Sequence, residues 1–251
     1  MNRFLICFIL ISLFPLKIFA QDFNSVFEEG LRLERLPDEK KALVKFVEAQ
    51  KINPKNLPAL YKCSEMYSRI GARESNHKIR DQYFQSALAY AKMAYKFFPE
   101  KDDACVSMSI ALGRIALTKT GKEKVSMVKE IKIYADHALI INPKNFKAWH
   151  IIGKWNYEVS SLNFFERSAI KLFYGGLPES SFAAAINAYE KSKSINPYFC
   201  LNYLELAKAY YKNDNEPMAK STLKYLLTVS NYTEDDANVK KQAEAMLKTL
   251  N

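Results

Sequence analysis

The sequence predicts an all-α protein built as an array of helix pairs. Three observations carry that prediction. A helix-closing turn recurs as Ile-Asn-Pro-Lys-Asn at Ile52–Asn56 and Ile141–Asn145, and as Ile-Asn-Pro at Ile195–Pro197. Residues at fixed distances from Pro54, Pro99, Pro143 and Pro197 repeat in size, the mark of one structural unit used several times. Hydrophobic residues make up 49% of the 251, with only seven glycines and nine prolines, so the chain can bury a core and is poor in loop formers.

The offsets define the two helices of each unit. Eight residues before the prolines stand Phe46, Ala91, Ala135 and Tyr189, five before stand Ala49, Ala94, Ala138 and Ser192, and twelve before stand Ala42, Ala87, Ile131 and Ala185. These mostly small or aromatic residues form one stripe of a second helix. After the prolines come apolar Leu60, Cys105, Trp149 and Tyr203, then small Ser64, Ser109, Gly153 and Ala207, then Tyr67, Leu112, Asn156 and Tyr210. They belong to a first helix, whose small residues let its partner approach closely. This unit resembles the tetratricopeptide repeat, and with it a right-handed helical-repeat array.

Taken in order, residues 1–20 read as a signal peptide rather than as part of the fold. Asn2 and Arg3 precede the short apolar run Phe4–Pro15, and Ile18-Phe19-Ala20 reads as a cleavage site before Gln21. The run is too short for a spanning helix, and Lys17 interrupts it. The remaining residues, 21–251, form one repeat domain, and an exported chain, periplasmic or extracellular, is expected. Phe23–Asn56, with Gly30 at its head, fits the 34-residue form of the repeat.

The next three units are longer: 45, 44 and 54 residues separate successive prolines. Both flanking columns hold register, so the excess lies between the helices of each unit, in Gly71–Asp81, Thr118–Val128 and within Val159–Ser181. The first two segments are polar and suit lengthened helices. The third carries Leu162, Phe165, Ala169 and Leu172 at helical spacing, an Asn163/Glu166 capping pair and a Gly175-Gly176-x-Pro178 stop. It predicts an extra helix whose stripe packs near Trp149 and Trp155, so that Phe165→Asp would unfold the domain. A fifth unit begins at Cys200. Thr233 and Asp236 then suit the cap of a polar last helix, Glu234–Leu250, which an open-ended array needs. The expected architecture is about five helix pairs, one inserted helix and a C-terminal capping helix.

The formal charge is +10; Arg3 and Lys17 leave with the leader and no acidic residue does, so the mature charge is +8. Such a balance favours acidic partners or anionic lipid, and export argues against nucleic acid. Cys63, Cys105 and Cys200 remain, an odd number that cannot form a fully paired framework; Cys63 and Cys105 either pair or serve as small buried residues. His77, His137 and His150 form no metal spacing, and no nucleophile or phosphate motif is present. Glu28-Glu29 and Asp235-Asp236 read as solvated pairs. No catalytic set, metal or cofactor is expected, and an enzyme is not.

In a tetratricopeptide array the first helices line the concave side. Further offsets there give Tyr61 and His150, then Glu65, Lys154 and Lys208, then Tyr157 and Tyr211, then Arg69, Arg114, Glu158 and Lys212. Cations beside tyrosines suit a carboxylate or phosphate on a partly apolar ligand. A non-catalytic scaffold binding an acidic peptide or protein in this groove is the leading expectation. The alternative is lipid or membrane-surface binding through the basic surface and the aromatic insertion 162–174.

The segment Trp149–Phe199 resembles the regulator of microtubule dynamics family through His150, Gly153 and Trp155, Phe165-Glu166-Arg167, Leu172-Phe173, Pro178 and Asn196-Pro197. The placement of the extra helix before the second helix of its unit is the most specific of these features. The resemblance implies a tetratricopeptide-like domain, association with microtubules or organelle membranes in eukaryotic members, and no catalytic residues. A leader and the lack of a long anchor set this chain apart, as a bacterial exported relative.

Overall fold

The computed structural model describes residues 22–36 and 38–250; the expected leader over 1–20 lies outside the described residues. A first helix, α1 (22–35), is followed by α2 (Glu39–Ile52), α3 (Leu57–Arg73), α4 (His77–Phe97), α5 (Asp102–Ala116), α6 (Gly121–Ile141) and α7 (Phe146–Ser160). Then come α8 (Phe164–Tyr174), α9 (Phe182–Ile195), α10 (Cys200–Lys212), α11 (Glu216–Thr228) and α12 (Asp236–Leu250). No strand occurs among the described residues.

The recurring turn works as its residues require. In Asn-Pro-Lys-Asn the first asparagine ends one helix and the second starts the next. Asn53 N–H donates to Ala49 O at 3.0 Å, and Asn56 Oδ1 accepts from Ala59 N–H at 3.0 Å. Asn142 and Asn145 repeat this with Ala138 O at 2.8 Å and Ala148 N–H at 2.9 Å. Each bond satisfies a backbone group that a helix end otherwise leaves open.

Five pairs result: α1–α2, where Gly30 and Phe27 meet the Phe46 ring, then α3–α4, α5–α6, α7–α9 and α10–α11, with α12 packed on the last. The small columns are the seams between them. Ser64 Oγ donates to Ala87 O at 3.0 Å and Ser109 Oγ to Ile131 O at 3.1 Å, tying each first helix to its second. At Gly153 the column needs no side chain at all, because a Cβ there would lie 2.6 Å from the Tyr189 ring. Phe46, Ala91, Ala135 and Tyr189 are fully buried. Successive first helices touch, α3 with α5, α5 with α7 and α7 with α10, which makes them the inner, concave layer.

The first two insertions lengthen helices. α4 and α6 have 21 residues each, where α2 and α9 have 14. The third insertion is the separate helix α8, with both capping-box bonds present and Gly175 in the left-handed conformation at φ 73°. Its packing differs from expectation. Phe165 is 81% exposed and Leu172 77%, Ala169 is exposed, and Phe164 and Phe173 also face outward. The opposite edge, Ile170 and Tyr174, rests on α6, where Lys129 Nζ donates to Tyr174 O at 2.9 Å. The tryptophans do not need α8. Trp155 donates its indole N–H to Val128 O at 2.8 Å under the ammonium of Lys132, so the extra length of α6 covers it. Trp149 donates to Pro143 O at 2.8 Å, with the Lys191 ammonium 4.1 Å from its ring centroid.

All three described cysteines are free and buried. Burial pushes the Cys63 thiol up to about 12 and that of Cys105 to about 11. They act as small core residues and do not pair.

Candidate ligand groove

On α7 the inner stripe is Lys147, His150, Lys154, Tyr157 and Glu158, one helical turn apart. α3 contributes Tyr61, Lys62, Glu65 and Arg69, α5 contributes Arg114, and α10 contributes Glu205 and Lys208. The predicted residues are therefore distributed along one face. That face is not a free basic stripe, because carboxylates of the same face engage most of its cations.

At the centre, Lys147 reaches from α7 to α3 and donates to Tyr61 Oη and to the Glu65 carboxylate. Tyr61 is buried, so it is a strut rather than an open contact. Burial alone would push the Glu65 carboxyl up; the ammoniums of Lys147 and Lys62 outweigh it and hold it at about 2. Arg114 lies further along α5. It has no hydrogen bond or ion pair among the described residues, burial holds its guanidinium below its usual range, and the Asp235 carboxylate partly offsets that.

Glu205 organises the side formed by α7 and α10. It is 5% exposed and accepts from Lys154 at 2.7 Å and Lys208 at 2.8 Å; Lys154 also pairs with Glu158 at 2.8 Å. Burial would raise the Glu205 carboxyl, and the two lysines outweigh it and keep it ionised. The Lys154 ammonium stands 5.7 Å from the Tyr157 ring centroid. His150 serves the fold. Asn202 Nδ2 donates to Tyr189 O at 2.9 Å, so its Oδ1 accepts from His150 Nδ1–H at 3.0 Å. Burial holds the imidazole down at about 4, neutral at physiological pH. Tyr211 and Lys212 sit exposed on the last turn of α10 with no ion pair or side-chain hydrogen bond among the described residues.

Arg69 belongs to the opposite end of the face. It pairs with Glu34 at 3.4 Å and with Glu39, which is fully buried; Arg73 also pairs with Glu39 at 2.6 Å. This cluster reaches the far end of the chain. Glu39 N–H donates to Glu234 Oε1 at 2.7 Å, and Arg73 holds Glu234 at 3.0 Å and Asp235 at 2.7 Å. Asp235 is thus ion-paired instead of solvated. Asp236 is 5% exposed, accepts from the Tyr232 and Thr233 N–H groups at 2.7 and 2.8 Å, and begins the last helix itself. The sequence reading missed Lys147, Arg73, Glu39 and Glu205. Lys147 was accessible one turn before His150 on the same stripe. The approach of Glu234 to Glu39 had no local signal.

The family model described as Regulator of microtubule dynamics protein 1-3 matches residues 27–251. The chain belongs to that family. Regulator of microtubule dynamics protein 1 of Bos taurus is 25% identical over 166 residues, 64% of this chain and 51% of the bovine protein. The Mus musculus protein is 26% identical over 165 residues, 65% of this chain and 54% of the mouse protein. The chain spans about half the length of these curated relatives. Among solved structures, a thermophilic TPR protein of Thermus thermophilus superposes with a TM-score of 0.66 at 15% identity, covering 90% of this chain and 99% of that one. At that identity the likeness concerns the fold, and it identifies this member of the regulator of microtubule dynamics family as a tetratricopeptide-like array. Arrays of this type generally bind peptides or proteins and are generally not catalytic.

Proposed function

We propose that this chain is a non-catalytic scaffold of an exported compartment that receives an acidic peptide or protein segment in its concave groove. Arg114 carries the reading: a partly buried guanidinium on the inner layer, with no carboxylate bonded to it among the described residues. A guanidinium offers a planar fork of donors that matches a carboxylate. On α7 and α10, Lys154 and Lys208 share the Glu205 carboxylate and Lys154 also pairs with Glu158, so Lys208, with one carboxylate partner, suits the same chemistry. The test is binding of acidic peptides to wild type and to Arg114→Gln with Lys208→Gln. Loss of binding in the double variant, and weakening by salt in the wild type, are the expected results. Retention by the variant would remove the groove from the reading. Export rests on the Phe4–Pro15 run and on Ile18-Phe19-Ala20; N-terminal sequencing of the cell-made protein should start at Gln21.

One observation favours a second reading, attachment to an anionic membrane surface. Phe164, Phe165, Leu172 and Phe173 are each at least 69% exposed on one short helix that also carries Arg167 and Lys171. An apolar helix face flanked by cations suits the headgroup boundary. Flotation with anionic vesicles tests it, and Phe165→Glu with Phe173→Glu should abolish the association. Absence of wild-type flotation at low salt would end this reading.

A further inference from the structure

The arginine end of the groove is occupied by the chain itself. Glu234 and Asp235 lie in the turn before α12, outside every helical stripe of the repeats. They cross from the last unit to the first pair of helices. Arg73 holds both carboxylates, Arg69 Nε lies 3.7 Å from Asp235, and the first N–H of α2 donates to Glu234. A helix N-terminus with two guanidiniums beside it is a complete carboxylate receptor. Here it is seen with its occupant in place.

We propose that Glu234 and Asp235 form an intramolecular clasp over this end of the groove, and that an acidic segment with adjacent carboxylates enters by displacing them. The inference rests on the groove reading above and gives it a ligand pattern and a gate. Two features make the clasp exchangeable. The Glu234 and Asp235 side chains are 28% and 37% exposed, whereas Glu39, which shares the same arginines, is 0% exposed. Glu39 is therefore the fixed partner and the other two are replaceable. Counted through its direct ion pairs, the cluster sets the carboxylates of Glu34, Glu39, Glu65, Glu234 and Asp235 against the cations of Lys62, Arg69, Arg73 and Lys147, one carboxylate in excess. Exchanging the clasp for a ligand of the same chemistry leaves the bond count and charge unchanged. Release needs only the turn to move. α12 keeps Val239, Ala243 and Leu250 buried against α10 and α11, and Asp236 keeps its bonds to the Tyr232 and Thr233 amides.

The test compares the full chain with Glu234→Gln plus Asp235→Asn, isosteric changes that preserve the turn; thermal melts confirm that both forms fold. Amide hydrogen exchange at Glu39 should speed up by about tenfold or more in the variant, as local opening predicts. Arg73→Gln, made from the other side of the pair, should do the same. A labelled peptide copying residues 231–237, Asn-Tyr-Thr-Glu-Asp-Asp-Ala, should bind the unclasped variant about tenfold more tightly than the wild type, since the internal competitor is gone. Unchanged exchange at Glu39 overturns the clasp whatever the peptide does. Faster exchange with equal peptide affinity in both forms overturns displacement and leaves the groove reading standing. Faster exchange with no peptide bound by either form overturns the groove reading and displacement together.

Discussion

Two neighbouring helices, α8 and α9, show opposite relations between pattern and burial. α8 has regular apolar spacing, a capping box and a left-handed glycine stop, yet none of its residues is buried. α9 is rich in alanine and serine and weakly patterned, yet it buries Ala185, Ala188, Tyr189 and Ser192. The difference lies in what faces them. α9 meets the Gly153 gap in α7, which admits a whole tyrosine ring. α8 meets only the edge of α6. Periodicity identifies which side chains share a face; the shape of the neighbour decides whether that face is covered.

The sharpest test of this contrast is Tyr189→Ala, which empties the best-packed position of α9. It should cost about 3–5 kcal/mol in denaturant unfolding. A loss below that range would mean that α7 and α9 collapse onto each other without the ring. Glu39→Gln should cost about 3 kcal/mol, because it leaves the buried ends of Arg69 and Arg73 without their fixed carboxylate. Urea melts at low and high salt would check it.

His150 sits on the α7 side of the same seam and ties it to α10. Its folded pKa of about 4 lies below the ordinary 6.5, so the unfolded chain binds the extra proton first as pH falls. Its contribution is complete above 6.5 and is lost as pH drops towards 4. The expected loss is about 3 kcal/mol, and His150→Gln should flatten the slope. Glu65 adds a loss of the same sign between its ordinary 4.5 and about 2, where protonation breaks its pairing with Lys147 and Lys62. Stability measured against pH in both proteins separates the two steps. The smallest effect is expected on α8: Phe165→Asp should leave the unfolding midpoint within about 0.5 kcal/mol of wild type. A large loss there would mean that the aromatic face is covered in solution, and the contrast with α9 would fail.

Much of the array was readable because its contacts are between neighbours. The offsets from Pro54, Pro99, Pro143 and Pro197 located the seams, and the asparagine turns, the lengthened α4 and α6 and the extra helix all followed from local chemistry. The polar groove was read in half. Lys154, Lys208, Arg69 and Arg114 stood in the repeat columns, but Lys147, Arg73, Glu205 and Glu39 lie off the columns compared. The pairing of Glu205 and Glu39 with Lys154, Lys208, Arg69 and Arg73 depends on the curvature of the inner layer. The error over Phe165 has a similar origin. The stripe was real, but the surface reserved for it had already been covered by α6.

The bond from Glu39 to Glu234 joins residues 195 positions apart. An open repeat array is close to one-dimensional, with a stability that is a sum of units and nearest-neighbour seams. Its ends fray independently. Joining them turns the row of units into a loop, so loosening of α2 is communicated to α12 without passing through the units between. It also sets an order of assembly. Helix pairs close early through short-range contacts, whereas this junction waits for Glu234 and Asp235 and bears the entropy of a very long loop. Arrival of the turn before α12, rather than growth of the array, is what makes the ring cooperative.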